Sequence, residues 1–454
     1  MKKTLSFLLL VSIFLLMPVY CSAFSISKVD KLIQESHLDD NSIVAVSIKK
    51  VSDNTPVYEH NSKKLQHPAS VLKLFTSYFA LNTLGYDYFF KTGFYTDKEN
   101  NLYIRLGADP LLTTNQIKDA FIKIKEEKGA SFNNLYFDDS IIDKREFGPG
   151  WMWDDDINPY TPKISAYNLD GNIIKVNMSV NPDGSIKTLT DTTYPMSVFS
   201  DIKLNSKINY LEIERYNWNN PELVEITGTV AFPRTISVPV SSMRRYFIHN
   251  VEKILEDNRI SIKSTLYASK LIPDGAELIY EIKNPITSTI AGILQASNNL
   301  MAGSIFKLAG GSAYNATGTA DLAVAAMRDF YKKNKIETES IIIRDGCGIS
   351  RKNLITADWI TDALNKMYEE KDFEKFKEYM AQAGDGTLSD RLFDLRGEAW
   401  LKTGSLSNVS AIAGYIQSQD GNMYSVAIIT QNFKESQKEI KKFEDKIITL
   451  IYNR

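Results

Sequence analysis

The chain opens on its most apolar run. From Leu5 to Val19 only Ser6, Ser12 and Pro18 interrupt the hydrophobic positions, with Lys2 and Lys3 ahead and Cys21-Ser22-Ala23 behind. A short positive end, a brief apolar stretch and small residues at the cleavage position predict an export signal removed after Ala23. Helical spacing follows from Val29 to Ser36. Ile43 to Ile48 then reads as a strand, with Val57-Tyr58 as its hairpin partner. Pro68-Ala69-Ser70 opens a strongly helical stretch from Val71 to Leu84, and Gly85 suits a left-handed cap.

From Phe89 to Ser140 the pattern is strand, strand, helix, strand, with the helix at Ile117–Lys128 and strands at Asn101–Leu106 and Leu135–Phe137. The texture changes from Gly171 to Ser242. Short β-branched runs alternate there with turns such as Asn181-Pro182-Asp183-Gly184, which predicts an all-β segment. A helix resumes from Arg244 to Asp257 and a strand from Ile260 to Lys263. Ile293–Leu308 reads as one apolar helix. Strands close the chain at Trp400–Lys402, Ala411–Ile416 and Tyr424–Thr430, before a helix that repeats Ile440, Phe443, Ile447 and Ile451 at helical spacing.

Composition narrows the function classes. The 454 residues carry 53 Lys and Arg against 55 Asp and Glu, without a long basic run, which argues against nucleic acid as a partner. No stretch beyond the first is apolar enough to span a bilayer, which leaves at most peripheral membrane association. Cleavage leaves Cys347 as the single thiol, with no intramolecular disulfide. His37, His60, His67 and His249 show no metal-ligand spacing.

Three short segments carry the chemistry. Ser70-Val71-Leu72-Lys73 gives S-x-x-K; three residues apart on a helix, hydroxyl and amine share a face. Ser297-Asn298-Asn299 gives S-x-N. Lys402-Thr403-Gly404 gives K-T-G on a predicted strand, followed by Ser405. Each is weak alone. Together and in this order they are the known signature of penicillin-binding proteins and class A β-lactamases.

Further segments make the resemblance closer. Gly107-Ala108-Asp109-Pro110, Gly148-Pro149-Gly150-Trp151-Met152-Trp153-Asp154-Asp155, Asp345-Gly346-Cys347-Gly348-Ile349-Ser350-Arg351 and Asp385-Gly386-Thr387-Leu388 accompany the trio. With them the chain resembles the D-alanyl-D-alanine carboxypeptidase/endopeptidase family, the class C low-molecular-mass penicillin-binding proteins of peptidase family S13. The stretch between Ser70 and Ser297 is far longer than in a class A β-lactamase, and no E-x-x-L-N segment follows Ser297. Three positions depart from the family pattern. Cys347 stands where serine is usual, Gly303 where glutamate is common, and the stretch before Asp385 is one residue short. None is a catalytic position.

The resemblance implies a mixed α/β (α+β) fold. Its transpeptidase/β-lactamase-like catalytic domain has an antiparallel sheet flanked by helices, at 24–87 and 276–454. That domain is split by an α/β insert at 88–168 and 243–275, which itself holds a β-rich insert at 169–242. It implies a serine carboxypeptidase, and a D,D-endopeptidase, acting on peptidoglycan stem peptides in the periplasm without metal or cofactor, and acylated by β-lactams. Ser70 is the nucleophile and Lys73 its base, with Ser297 as proton relay and Asn299 holding Lys73 and the peptide amide. Lys402, Thr403 and Ser405 meet the terminal carboxylate. Gly404 leaves the strand bare, and the backbone N–H groups of Ser70 and Ser405 form the oxyanion hole. The resemblance also implies that Asp155 and Tyr160 meet an amine-bearing side chain of the substrate; the alternative reading is a solvated acidic turn with a packing aromatic. The competing readings are a serine β-lactamase or esterase on the same scaffold, and a non-catalytic penicillin-binding protein of the wall.

Overall fold

The computed structural model describes residues 28–205, 207–215, 220–264 and 268–454; the expected export signal lies outside them. The chain divides into two compact units. The first takes in described residues 28–78, 291–297 and 327–454, and the second those of 79–290 and 298–326.

The first unit is built on a five-stranded antiparallel sheet. Its order is Ala399–Leu406, Val409–Gln417, Met423–Gln431, Ile43–Lys50, Pro56–His60. The three late strands form a meander. The early strand joins it along its whole length, with Ile43 opposite Gln431 and Lys50 opposite Tyr424. Apolar residues run unbroken through Val44–Val46 and Val426–Ile429 because both faces of the sheet are covered.

On one face Val44, Val46, Ile48, Ile412, Val426 and Ile428 pack with Ile440, Phe443 and Ile447 of the terminal helix Gln437–Tyr452. Val29 and Ile33, from the helical residues 28–36, join them. On the other face Ser47 Oγ lies 2.7 Å from Thr361 Oγ1, and Lys49 Nζ pairs with Asp358 at 2.6 Å, both on helix Ala357–Tyr368. Register puts Lys402, Ala413, Ala427 and Ser47 in one row across four strands, on that same face. The small neighbours leave room for the long amine. Phe75, on helix Leu72–Leu84, meets the ring of Trp359 edge-on at 4.8 Å. Its carbonyl accepts from the Tyr331 hydroxyl at 2.8 Å.

A buried ion cluster ties the sheet to the terminal helix. Arg391 Nη2 donates to Glu444 Oε2 at 2.9 Å and Nε to Asp445 Oδ1 at 3.0 Å, while Glu444 Oε1 accepts from Ser410 Oγ at 2.6 Å. Burial pushes the Glu444 carboxyl up, and Arg391 opposes the shift. Removing one partner of such a pair costs about 3–5 kcal/mol, because the other charge is left buried alone.

The second unit holds a four-stranded sheet, Glu277–Pro285, Phe89–Thr96, Leu102–Arg105, Leu135–Asp138, antiparallel except for its last, parallel pair. Helix Thr114–Lys128 starts on a capping box between Thr113 and Gln116. It is followed in sequence by two three-stranded sheets within 173–239 and by helix Met243–Asp257. The mixed architecture with a helix-flanked antiparallel sheet is the one expected. No helix among the described residues is long and apolar enough to cross a membrane.

Several elements differ from the sequence reading, which names neither helix Ala320–Lys333 nor helix Ala357–Tyr368. Strand Glu277–Pro285 was not foreseen, since charged residues break its apolar pattern. The single helix expected at Ile293–Leu308 is two, Ile286–Ala296 and Asn299–Tyr314. Ser297 takes a left-handed φ of 60°, and the Asn298 side chain caps the second helix by accepting from Met301 N at 3.0 Å.

Candidate active site

Ser70 sits in a tight 3₁₀ turn, Ala69–Val71, directly ahead of helix Leu72–Leu84. Ala69 adopts a left-handed φ of 46°, a conformation that needs support from its surroundings. Gly348, itself at φ 81°, provides that support: any Cβ there would overlap the Ala69 carbonyl. A Cβ on Gly404 would lie 2.8 Å from Ser70 N. The bareness of K-T-G therefore admits the backbone of the Ser70 turn, and the first and third motifs abut.

Lys73 Nζ lies one helical turn on, 2.7 Å from Ser70 Oγ and 2.6 Å from the Cys347 carbonyl oxygen. The amine is fully buried while Ser70 is half-buried. Burial lowers the Lys73 pKa to about 8, with Cys347 and Asp345 acting the other way. The Cys347 carbonyl is held in place by Asp345. The Asp345 carboxylate accepts from Gly348 N, from Ser350 N and from Asn353 Nδ2, each at 2.8 Å. One carboxylate thus fixes the loop that meets both the base and the nucleophile's turn.

Lys402 Nζ donates to Ser297 Oγ at 2.9 Å and to the Thr403 carbonyl at 2.8 Å, which joins the second and third motifs. Its pKa falls well below the usual lysine value, first through burial and then through the charge of Lys73. Thr403 Oγ1 donates to Thr387 Oγ1 at 2.8 Å. Ser405 is exposed on the edge strand. That strand's outer edge is covered at its start by residues 381–383, with Leu401 N bonded to Ala381 O at 2.9 Å and Ala383 N to Ala399 O at 3.1 Å.

Asn299, Asp155 and Tyr160 belong to the second unit. Asn299 opens helix Asn299–Tyr314, and its Nδ2 donates to the Tyr160 carbonyl at 2.6 Å. Asp155 lies in the turn Trp153–Ile157, where Oδ2 accepts from Met152 N at 2.8 Å. The Tyr160 side chain is 77% exposed. The neighbouring Asp156 is paired with Lys163 at 3.0 Å and with Arg215 at 2.5 Å, which holds its carboxyl below the usual range against the cost of burial.

The structure brings together Ser70 with Lys73, Ser297 with Lys402, and Gly404 with the Ser70 turn. It adds three groups whose roles the sequence reading left unassigned. The Cys347 carbonyl and the Asp345 carboxylate lie in the recognised segment 345–351, and Thr387 in 385–388. Both segments stood out as motifs, but no side-chain chemistry marked what they do.

Comparison with known proteins agrees over nearly the whole chain. The D-Ala-D-Ala carboxypeptidase 3 (S13) family model matches residues 26–452. The D-alanyl-D-alanine carboxypeptidase DacB of Haemophilus influenzae is 23% identical over 424 residues, 89% of this chain and 88% of that protein. The D-alanyl-D-alanine carboxypeptidase of Actinomadura sp. strain R39 is 24% identical over 430 residues, 87% of this chain and 79% of its own. The crystal structure of penicillin binding protein 4 (dacB) from Haemophilus influenzae shares the fold at a TM-score of 0.83 and 22% identity, covering 94% of this chain and 99% of that one. A buried lysine against a motif serine, a second lysine against the S-x-N serine, and a family match from end to end make this chain a member of the D-Ala-D-Ala carboxypeptidase S13 family.

Proposed function

We propose that the protein is an exported, periplasmic serine carboxypeptidase and D,D-endopeptidase that cleaves peptidoglycan stem peptides through an acyl-enzyme on Ser70. The observation that carries this reading is the 2.7 Å contact between Lys73 Nζ and Ser70 Oγ, with the amine buried and its pKa lowered to about 8. Neutral Lys73 takes the hydroxyl proton as Ser70 attacks the carbonyl of the D-Ala-D-X bond. The N–H groups of Ser70 and Ser405 hold the oxyanion, and Ser297 passes a proton to the leaving nitrogen. Asn299 is the motif residue assigned to the peptide amide. Lys402 draws in the terminal carboxylate, with Thr403 and Ser405 as hydroxyl donors. Water then releases the acyl group. β-Lactams acylate the same serine; penicillin binding protein 4 of Haemophilus influenzae has been solved in complex with a β-lactam, which supports this.

Mass spectrometry of purified muropeptides tests the proposal. Incubation is expected to remove the terminal residue from pentapeptide stems and to convert cross-linked dimers to monomers, both blocked by benzylpenicillin. Unchanged muropeptides together with rapid penicillin hydrolysis would overturn it in favour of a β-lactamase.

Asp155 and Tyr160 serve substrate choice in this reading, the carboxylate attracting the free amine of the stem peptide and the ring packing on its aliphatic stem. A partly exposed carboxylate contributes about 1 kcal/mol by such attraction. Asp155→Asn is therefore expected to lower kcat/KM several-fold on amine-bearing peptides and to leave N-acetylated peptides and penicillin acylation nearly unchanged. An equal loss on all three substrates would show that Asp155 only caps its own turn.

A further inference from the structure

Thr403, in the middle of K-T-G, donates its hydroxyl hydrogen to Thr387 Oγ1 at 2.8 Å. A hydroxyl has one hydrogen, so Thr403 cannot make this bond and donate to a substrate at the same time. Thr387 accepts the bond and keeps its own hydrogen, on a side chain that is half-buried. If the pair reverses, Thr387 donates inward and Thr403 outward. In either sense exactly one hydroxyl points away from the pair, supported by the other.

The turn that carries Thr387 is fixed on three sides. Gly386, at φ 54°, stands where a Cβ would lie 2.6 Å from the Gln295 carbonyl, two residues before Ser297. Gly384 N bonds to the carbonyls of Leu388 and Arg391, each at 3.1 Å. Arg391 reaches the buried Glu444, whose second oxygen holds Ser410, directly opposite Ser405 on the neighbouring strand. Leu392 is kept at a left-handed φ of 57° just beyond, a strain that persists only where neighbours enforce it. The turn is thus braced against the second motif and against the strand of the third.

We propose that Thr387 is a specificity-determining residue that completes, with Thr403, a two-hydroxyl pair reading the substrate's terminal carboxylate. This rests on the carboxypeptidase reading above and adds a group to its carboxylate site. Lys402 supplies attraction to negative charge; the pair supplies a directed donor that separates a carboxylate from an uncharged end.

The test compares acyl-D-Ala-D-Ala peptides with a free and with an amidated C-terminus. Thr387→Val is expected to lower the ratio of their kcat/KM values about tenfold, as loss of one hydrogen bond to a charged group does. Thr387→Ser, which restores the hydroxyl, is expected to recover most of that discrimination. Thr403→Val combined with Thr387→Val is expected to cost little more than either alone, since both break one unit. If Thr387→Val loses its cooperative melting, Thr387→Ala against Thr387→Ser carries the same comparison. An unchanged ratio in the valine or alanine variant, or a serine variant no better than valine, overturns the inference. Wild-type protein that forms no Ser70 adduct with benzylpenicillin overturns the underlying reading instead, and the inference with it.

Discussion

Ser70→Ala is expected to abolish the covalent adduct with benzylpenicillin and to lower kcat/KM on D-Ala-D-Ala peptides by roughly a thousandfold or more, the scale on which removing a catalytic nucleophile acts. The reason is local. Ser70 is the hydroxyl that Lys73 Nζ touches, at 2.7 Å, and it sits where its own N–H lies against the K-T-G strand. The variant should remain folded. Lys73 keeps its bond to the Cys347 carbonyl, and Ser70 is only half-buried, so little packing is lost. Intact-protein mass spectrometry reads the adduct, and thermal melting checks the fold. An adduct that persists in a folded variant would put the nucleophile elsewhere.

Acylation by penicillin is expected to rise with pH until about 8 and then to level off. Only neutral Lys73 can accept the Ser70 proton, and burial brings its pKa to about 8. At pH 7 roughly one molecule in ten then carries the neutral amine, and each unit of pH below that costs about another factor of ten. The sign follows from the lysine being inactive when charged, so acid suppresses the reaction and mild base restores it. The second-order rate constant reports the unliganded enzyme, which makes it the quantity to follow. Lys73→Met is expected to lose about two to four orders of magnitude and to flatten the profile. A wild-type profile that is flat from about pH 6 to 9 would remove Lys73 from the role of base.

The parts of this molecule that were legible in the sequence are those whose signal is carried by side-chain type at fixed spacing. The S-x-x-K pair works because helical geometry alone brings Ser70 and Lys73 together. The late strands were legible because Ala411–Ile416 and Tyr424–Thr430 are nearly continuous apolar runs, as a sheet covered on both faces demands. The break at Ser297 was not legible. No proline or glycine marks it, and a left-handed serine is set by what surrounds it. The Cys347 carbonyl could not be foreseen because every residue has one; only the path of the loop aims it at Lys73. The bracing of Thr387 is hidden for a similar reason, since Arg391, Glu444 and Ser410 meet only after folding.

The register of the early strand has a consequence for how the molecule comes into being. Ile43–Lys50 finds its main partner in Met423–Gln431, nearly the whole chain away, and Val29 and Ile33 find theirs in the terminal helix. Contacts that close such long loops form late and slowly. During synthesis, then, the early strand has no sheet to join, and Ser70 has neither the Gly348 loop nor the Gly404 strand against it. On the proposed reading, no acyl-enzyme is expected to form until those segments and the central strand Met423–Gln431 have been made. A molecule cut short before Met423 lacks the strand that joins Ile43–Lys50 to Val409–Gln417, so it is expected to stay unfolded and to form no benzylpenicillin adduct.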